Sequence, residues 1–158
     1  MNANGDIIVR APRSCPQSRI DDAIASSGEW IERAQKSLSS KHHIAVTPQL
    51  TQELKSRAPE VIFKRVEHFS RLTGLEPSAM KITTAKTRLG SCSGKNSLCF
   101  SCYLLLYPEN VIDYTVLHEL AHIRHKNHGR EFYALIERYM PDYRDAVAAM
   151  KGIILDYN

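Results

Sequence analysis

Residues 118–128 read HELAHIRHKNH, four histidines and a glutamate within eleven positions of a chain that has seven histidines in all. Imidazole and carboxylate are side chains that bind divalent metals and move protons near neutral pH. His118 and His122 are four residues apart, so on a helix their rings leave one face about 6 Å apart along the axis and can converge on one ion. Glu119, next to His118, can then reach a water activated by that ion without ligating it. This is the HExxH arrangement, two zinc ligands and a general base on one helical turn. A solvent-facing amphipathic helix is the bland alternative. The apolar approach VIDYTVLHELAHI argues against it, because buried imidazoles and a buried carboxylate are costly without a partner.

A catalytic zinc takes a third protein ligand and keeps a position open. His125 continues the helical stripe but stands about 10.5 Å from His118 along the axis, too far for both to ligate one ion. His128 can contribute if the helix ends near Lys126 and Asn127, with Gly129 permitting the turn. The expected ligands are therefore His118, His122 and His128, with Glu119 as base. His125 is left at the surface or behind the ligands.

Several elements must position this cluster. Asn110, with Asp113, can cap the helix that carries it. Two β-capable segments, about 80–91 and 97–107, flank a hairpin turn at SGKN. Thr47 caps a longer helix that starts at Pro48, presents Leu50, Leu54, Ala58, Val61, Ile62, Val66, Phe69 and Leu72 on one face, meets a kink or boundary at Pro59, and stops at Gly74. IIVRAP, residues 7–12, looks like a short strand. Behind it a helix starts at Pro16, with Ser18 and Asp21 as an alternative capping box and Ile20, Ala23, Ile24, Trp30, Ile31 and Leu38 at helical spacing across Gly28. Helical stretches near REFYALIERYM and RDAVAAMKGIIL close the chain. The expected fold is α+β, a small, mostly antiparallel sheet packed against several helices, in one domain spanning residues 1–158.

Composition narrows the setting. The chain has 158 residues, 43% hydrophobic and 24% charged, with a formal charge of +4. Its basic residues are scattered, so a nucleic-acid partner is not expected. The long uncharged stretch SLCFSCYLLLYP at 97–108 is shorter than the roughly 20 residues of a bilayer-spanning helix. The first residues lack a secretory leader, so a cytoplasmic location is expected. Cys15, Cys92, Cys99 and Cys102 then read as free, buried thiols rather than disulfides. Cys99 and Cys102 would point to opposite faces of a strand, and no second pair answers them. Oligomeric state leaves no signal.

TRLGSCSG at 87–94, followed by YPENVIDYTVLHELAHIRHKNHGREFYALIERYMPDYR at 107–144, resembles the YgjP-like metallopeptidase family of the zincin class. Members present a strand with RWGSC, a helix with DYVVVHELAHL, a histidine in NHSxxFW and a Pro-Asp-aromatic turn. Arg88, Gly90, Ser91 and Cys92 fall on the first motif, His118, Glu119 and His122 on the second, and His128 on the third-ligand histidine. Leu89 replaces the usual Trp, Gly129 the usual Ser and Tyr133 the second Trp. No expected ligand is lost.

The resulting expectation is a zinc-dependent metallopeptidase that hydrolyses peptide bonds, with Zn2+ activating water and Glu119 as general base. Arg88 is a candidate to hold a substrate carboxylate or carbonyl, and Tyr133 to face the developing oxyanion. The resemblance also admits a nucleoside triphosphate pyrophosphatase acting on UTP. A third possibility is a non-catalytic, metal-stabilised scaffold, which the presence of Glu119 opposes. The partner is a peptide or small-molecule substrate, with no membrane.

Overall fold

A computed structural model of the chain describes residues 8–39 and 41–157. The chain divides into two compact units, Met1–His43 and Ile44–Asn158. In the first, the expected single helix is two: α1 (Gln17–Ser26) and α2 (Gly28–Ser39). Ser26 and Ser27 both donate their hydroxyls to the Ala23 carbonyl, at 3.1 and 2.8 Å, and so end α1 two residues before Gly28. Pro16 occupies the N-cap rather than the first turn. The Ser18–Asp21 capping box does not form, because Asp21 accepts from Gln17 Nε2 instead. Of the strand expected over 7–12, Ile7 lies outside the described residues, and 8–12 are not a strand. The side chain of Leu38 also lies outside the described residues.

The second unit is built on two long buried helices. α3 (Pro48–Thr73) starts where Thr47 Oγ1 accepts from the Leu50 N–H at 3.2 Å. It ends at Gly74, whose φ of 69° is a left-handed conformation that favours glycine. Leu54, Ala58, Ile62, Val66 and Phe69 are its buried stripe, whereas Leu72 is half exposed. Pro59 sets no boundary. The carbonyl it deprives of a donor belongs to Lys55, on the exposed side, where water can satisfy it.

α4 (Glu109–Arg124) packs against α3, α5 (Arg130–Tyr139) and α6 (Tyr143–Lys151). Its N-cap is Pro108, so Asn110 is already inside the first turn and the expected Asn110–Asp113 capping box is absent. Asp113 instead takes a bidentate hydrogen bond from the Arg65 guanidinium, which ties α4 to α3. The pairing partner was invisible in the sequence because Arg65 lies 48 positions away.

The sheet is mixed rather than mostly antiparallel. β2 (Ala79–Thr83) pairs parallel with β4 (Ser97–Ser101), and β3 (Gly90–Cys92) pairs antiparallel with β4, giving the order β2-β4-β3. The expected hairpin is β3–β4. Its turn closes with Asn96 N–H to Ser93 O at 3.0 Å, and Asn96 takes the left-handed φ of 60° that such a turn demands. The segment expected to run on as strand to 107 coils into a 3-10 helix at Cys102–Leu106, which buries Cys102, Tyr103 and Leu104. At the other end the helix expected through 155 stops at Lys151. Beyond Gly152, Ile153–Tyr157 form β5, which pairs with β1 (His42–Val46) in a separate two-stranded sheet; β-branched Ile153 and Ile154 suit a strand better than a helix end.

Leu98 and Phe100 from β4, Ile62 and Val66 from α3, Val116, Leu117 and Leu120 from α4, and Phe132 and Ile136 from α5 are fully buried and form one core. Among the described residues, no helix is long and apolar enough to cross a membrane. No disulfide forms, but only Cys102 is buried; Cys15, Cys92 and Cys99 are half buried. Truncating Ile62, which is fully buried between α3 and the rest of the core, should cost about 2–5 kcal/mol of unfolding free energy. Denaturant unfolding of Ile62→Ala checks this, and a loss under 1 kcal/mol would mean that the core is packed differently.

Candidate metal centre and active site

α4 is buried along most of its length, and it places the buried Glu119 beside the half-buried His118 and His122. The helix stops at His125, whose φ of −119° and ψ of 100° turn the chain out of the helix one residue before the expected Lys126. That exit loops residues 125–129 back over the end of α4 and brings His128 beside His118. Gly129 has a φ of −80°, open to any residue, so the turn does not depend on glycine there. Lys126 Nζ donates to Asn96 Oδ1 at 2.6 Å, which fastens this loop to the β3–β4 turn.

The nitrogens of His118, His122 and His128 lie within 4.8 Å of one another. His118 Nε2 and His128 Nε2 are 3.1 Å apart. Two nitrogens at 2.0–2.1 Å from a tetrahedral ion stand about 3.3 Å apart, so this spacing fits one shared cation. His122 donates Nδ1–H to the His125 carbonyl at 3.0 Å, which leaves its Nε2 lone pair turned to the cluster. His118 Nδ1 is buried without a partner, so the polar demand of that ring falls on Nε2. Burial, with the His122 and His128 rings adding to it, lowers His118 to about 4. Burial also lowers His122. Both are thus neutral near pH 7, the form that offers a lone pair to a metal. His125 is outside the trio: its ring turns to Glu131, Nδ1 to Oε2 at 3.7 Å, while its carbonyl orients His122.

Phe132 was not anticipated. It is fully buried on α5, and its ring centroid lies 4.9, 4.6 and 4.8 Å from those of His118, His122 and His128. It forms an apolar floor that limits where the imidazoles can turn. The Phe of the family's NHSxxFW stretch falls on it, a usable signal, whereas its spacing of four from His128 has no helical meaning because His128 lies in a loop.

Glu119 is 7% exposed and sits against β3. A Cβ added to Gly90 would come within 2.7 Å of Glu119 Cγ and 2.8 Å of Oε1. Glycine at position 90 is therefore a matter of room, not of backbone conformation. Burial raises the Glu119 carboxyl to about 7, opposed by the charge of Arg88. Arg88 is exposed and borders, with Gly90, Tyr114, His118 and Glu119, a cleft of about 380 Å³. Tyr133 does not border it. Its ring lies 6.3 Å from His128 and stacks on Tyr143 at 6.2 Å. Tyr114, passed over in the sequence, does border the cleft, its ring 5.6 Å from that of His118. Its position four residues before His118 on the same helix was a usable signal.

A family model for the YgjP-like metallopeptidase domain matches residues 37–152. The chain belongs to this family. As a YgjP-like domain it is a metal-dependent hydrolase of the metallopeptidase class. Among solved structures it is similar to the metallopeptidase zymogen jannalysin of Methanocaldococcus jannaschii, at 24% identity and a TM-score of 0.51 over 56% of this chain and 92% of that one. The metallopeptidase zymogen abylysin of Pyrococcus abyssi gives 19% identity and a TM-score of 0.48 over 59% and 99%. No protein of curated function matches the chain. The jannalysin likeness is one of fold; the YgjP-like domain shares its architecture at low identity.

Gly90→Ala should leave binding of Zn2+ to the apo-protein within about threefold of the parent, while any hydrolysis the protein performs drops at least tenfold, since an ångström-scale shift of a reacting group costs up to about a hundredfold. Metal titration and turnover on the same preparation check this. Unchanged turnover would mean that Glu119 has room elsewhere.

Proposed function

We propose that this protein is a zinc-dependent peptidase in which His118, His122 and His128 hold the metal and Glu119 is the general base. The observation that carries the reading is the placement of one buried carboxyl beside three convergent imidazoles at the wall of an open cleft. Zinc held there supplies Lewis acidity, which makes water a nucleophile near neutral pH and polarises a carbonyl. The rest falls to the chain's own residues. Glu119, raised to about 7, accepts the proton of the attacking water and returns it to the leaving amine. Gly90 keeps that carboxyl in place, and Phe132 with the His125 carbonyl keeps the imidazoles aimed. The exposed side of His128 leaves the cluster open to substrate.

A strand edge favours a peptide as substrate. Ser101 N–H donates to Leu89 O, and Ser93 N–H donates to Ser97 O, so the odd-numbered residues of β3 face β4. In an antiparallel pair the alternate residues then face outward. The N–H and C=O groups of Arg88, Gly90 and Cys92 form an edge with no strand partner among the described residues. An extended peptide can add to such an edge and carry its carbonyl past Glu119.

Glu119→Gln should retain fold and metal while hydrolysis falls by roughly two orders of magnitude or more. Parent and variant are compared on an unstructured peptide library read by mass spectrometry and on nucleoside triphosphates read by pyrophosphate release. Peptide cleavage lost in the variant supports the proposal. Pyrophosphate release lost with peptides untouched replaces it with the phosphoanhydride reaction, and equal activity of the two proteins removes Glu119 as base.

The ligand set has its own check. Elemental analysis should find about one zinc per chain. His128→Ala should lower zinc affinity by at least about a hundredfold, whereas His125→Ala, which keeps the carbonyl that orients His122, stays within about tenfold. Equal losses would sink the choice of His128.

A further inference from the structure

The active cleft has a neighbouring chamber, and one lysine borders both. Lys86 lines the cleft with His118 and Glu119, and it also lines a cavity of about 270 Å³ bordered by Thr47, Thr51, Tyr103 and Tyr157. Its position is set from two sides. The Tyr157 hydroxyl donates to the Lys86 carbonyl at 3.5 Å, and Lys86 Nζ stands 4.6 Å from the centroid of the Tyr157 ring. A cation over an aromatic face is held without being neutralised.

Arg88, two residues on, borders the same cleft and is exposed. Among the described residues lining the two cavities, the only acidic one is Glu119, and it is buried against β3. Asp156, next to Tyr157 on β5, lines neither cavity. Two cations at the wall and one internal carboxyl leave the cleft positive, and low-dielectric walls focus that field on whatever enters.

We propose that the cleft selects substrates that carry a carboxylate close to the reacting bond, with Lys86 and Arg88 as specificity-determining residues and the chamber beside Lys86 receiving the side chain or chain end that bears it. The proposal rests on the peptidase reading above and names its substrate class. The guanidinium can grip a carboxylate through two parallel hydrogen bonds, and the ammonium acts as a point charge at the chamber mouth. A carboxylate can come from an acidic side chain or from a peptide C-terminus, and the two are separable.

The test uses zinc-loaded Glu119→Gln protein, in which bound peptide is not turned over, and fluorescence anisotropy. One set of labelled peptides has amidated ends and a single position that is Glu, Gln or Lys. A second set is neutral throughout and ends in either a free carboxylate or an amide. At least one carboxylate peptide should bind about fivefold or more tighter than its neutral twin, near the upper end for a partly exposed ion pair. Adding Lys86→Glu should abolish that preference and favour the Lys peptide, a reversal that a folding defect cannot produce. Zinc content and far-UV circular dichroism establish that this variant is folded, and Arg88→Gln, which should halve the preference or more, serves if it is not. A preference confined to the free chain end assigns the pair to C-termini, and one confined to Glu assigns it to side chains. Equal binding of carboxylate and neutral peptides overturns the proposal, as does a preference that survives Lys86→Glu. Selective binding without cleavage by the parent protein leaves the subsite standing and removes the peptidase reading. Nucleoside triphosphate binding with no peptide bound overturns both.

Discussion

The contact between Glu119 and Gly90 sets the distance between helix α4 and strand β3, and most of the site follows from that distance. α4 is surrounded, with nine of its sixteen residues buried, yet it must carry a carboxyl and two imidazoles in its interior turns. The carboxyl can be accommodated only where the opposite wall has no side chain, which is position 90. Close approach there presses β3 against α4 and leaves the outward groups of β3 at the cleft rather than against another strand. The same approach brings the β3–β4 turn near the end of α4, where Lys126 joins it through Asn96. The loop that delivers His128 is thus anchored to the sheet that seats Glu119.

Burial acts on the two kinds of titratable group in opposite directions and with one result. It raises the Glu119 carboxyl to about 7 and lowers the His118 imidazole to about 4, because both lose hydration in their charged forms. Near neutral pH burial therefore disfavours the charged form of both groups. A cation held by the imidazoles would favour ionised Glu119, since an opposite charge nearby lowers a carboxyl's proton affinity. A metal and the proposed base would be coupled in this way through electrostatics alone, without a bond between them. Arg88, at the rim, pulls the carboxyl in the same direction more weakly.

Much of the local structure was legible because its causes are local. Thr47 before Pro48, the stripe from Leu54 to Phe69 and the left-handed stop at Gly74 each act within one or two turns of helix. The SGKN turn is likewise set by its own hydrogen bonds. The errors lie where a distant partner overrode a local signal. α4 starts ahead of Asn110, so Asp113 has no cap to complete and pairs with Arg65 instead, and residues 102–106 left the strand pattern where their side chains could be buried in a 3-10 turn. The parallel pairing of β2 with β4 depends on a connection through β3 that has no signature in either strand.

That His118, Glu119 and His122 sit together on one helix was legible in the sequence itself, because a spacing of four on an apolar helix puts two imidazoles on one face whatever surrounds them. His128 was reachable by elimination, since a straight helix cannot bring His125 to the same ion. The tertiary structure alone decided what faces them. Phe132 beneath the rings, Gly90 against the carboxyl and Lys86 between two cavities come from other elements, 4 to 32 residues from the nearest proposed ligand in the chain but within side-chain reach in space. Spacing along one helix fixes directions around an axis, whereas the shape and charge of a cleft depend on how separate elements pack, and that is settled only by the core they bury together.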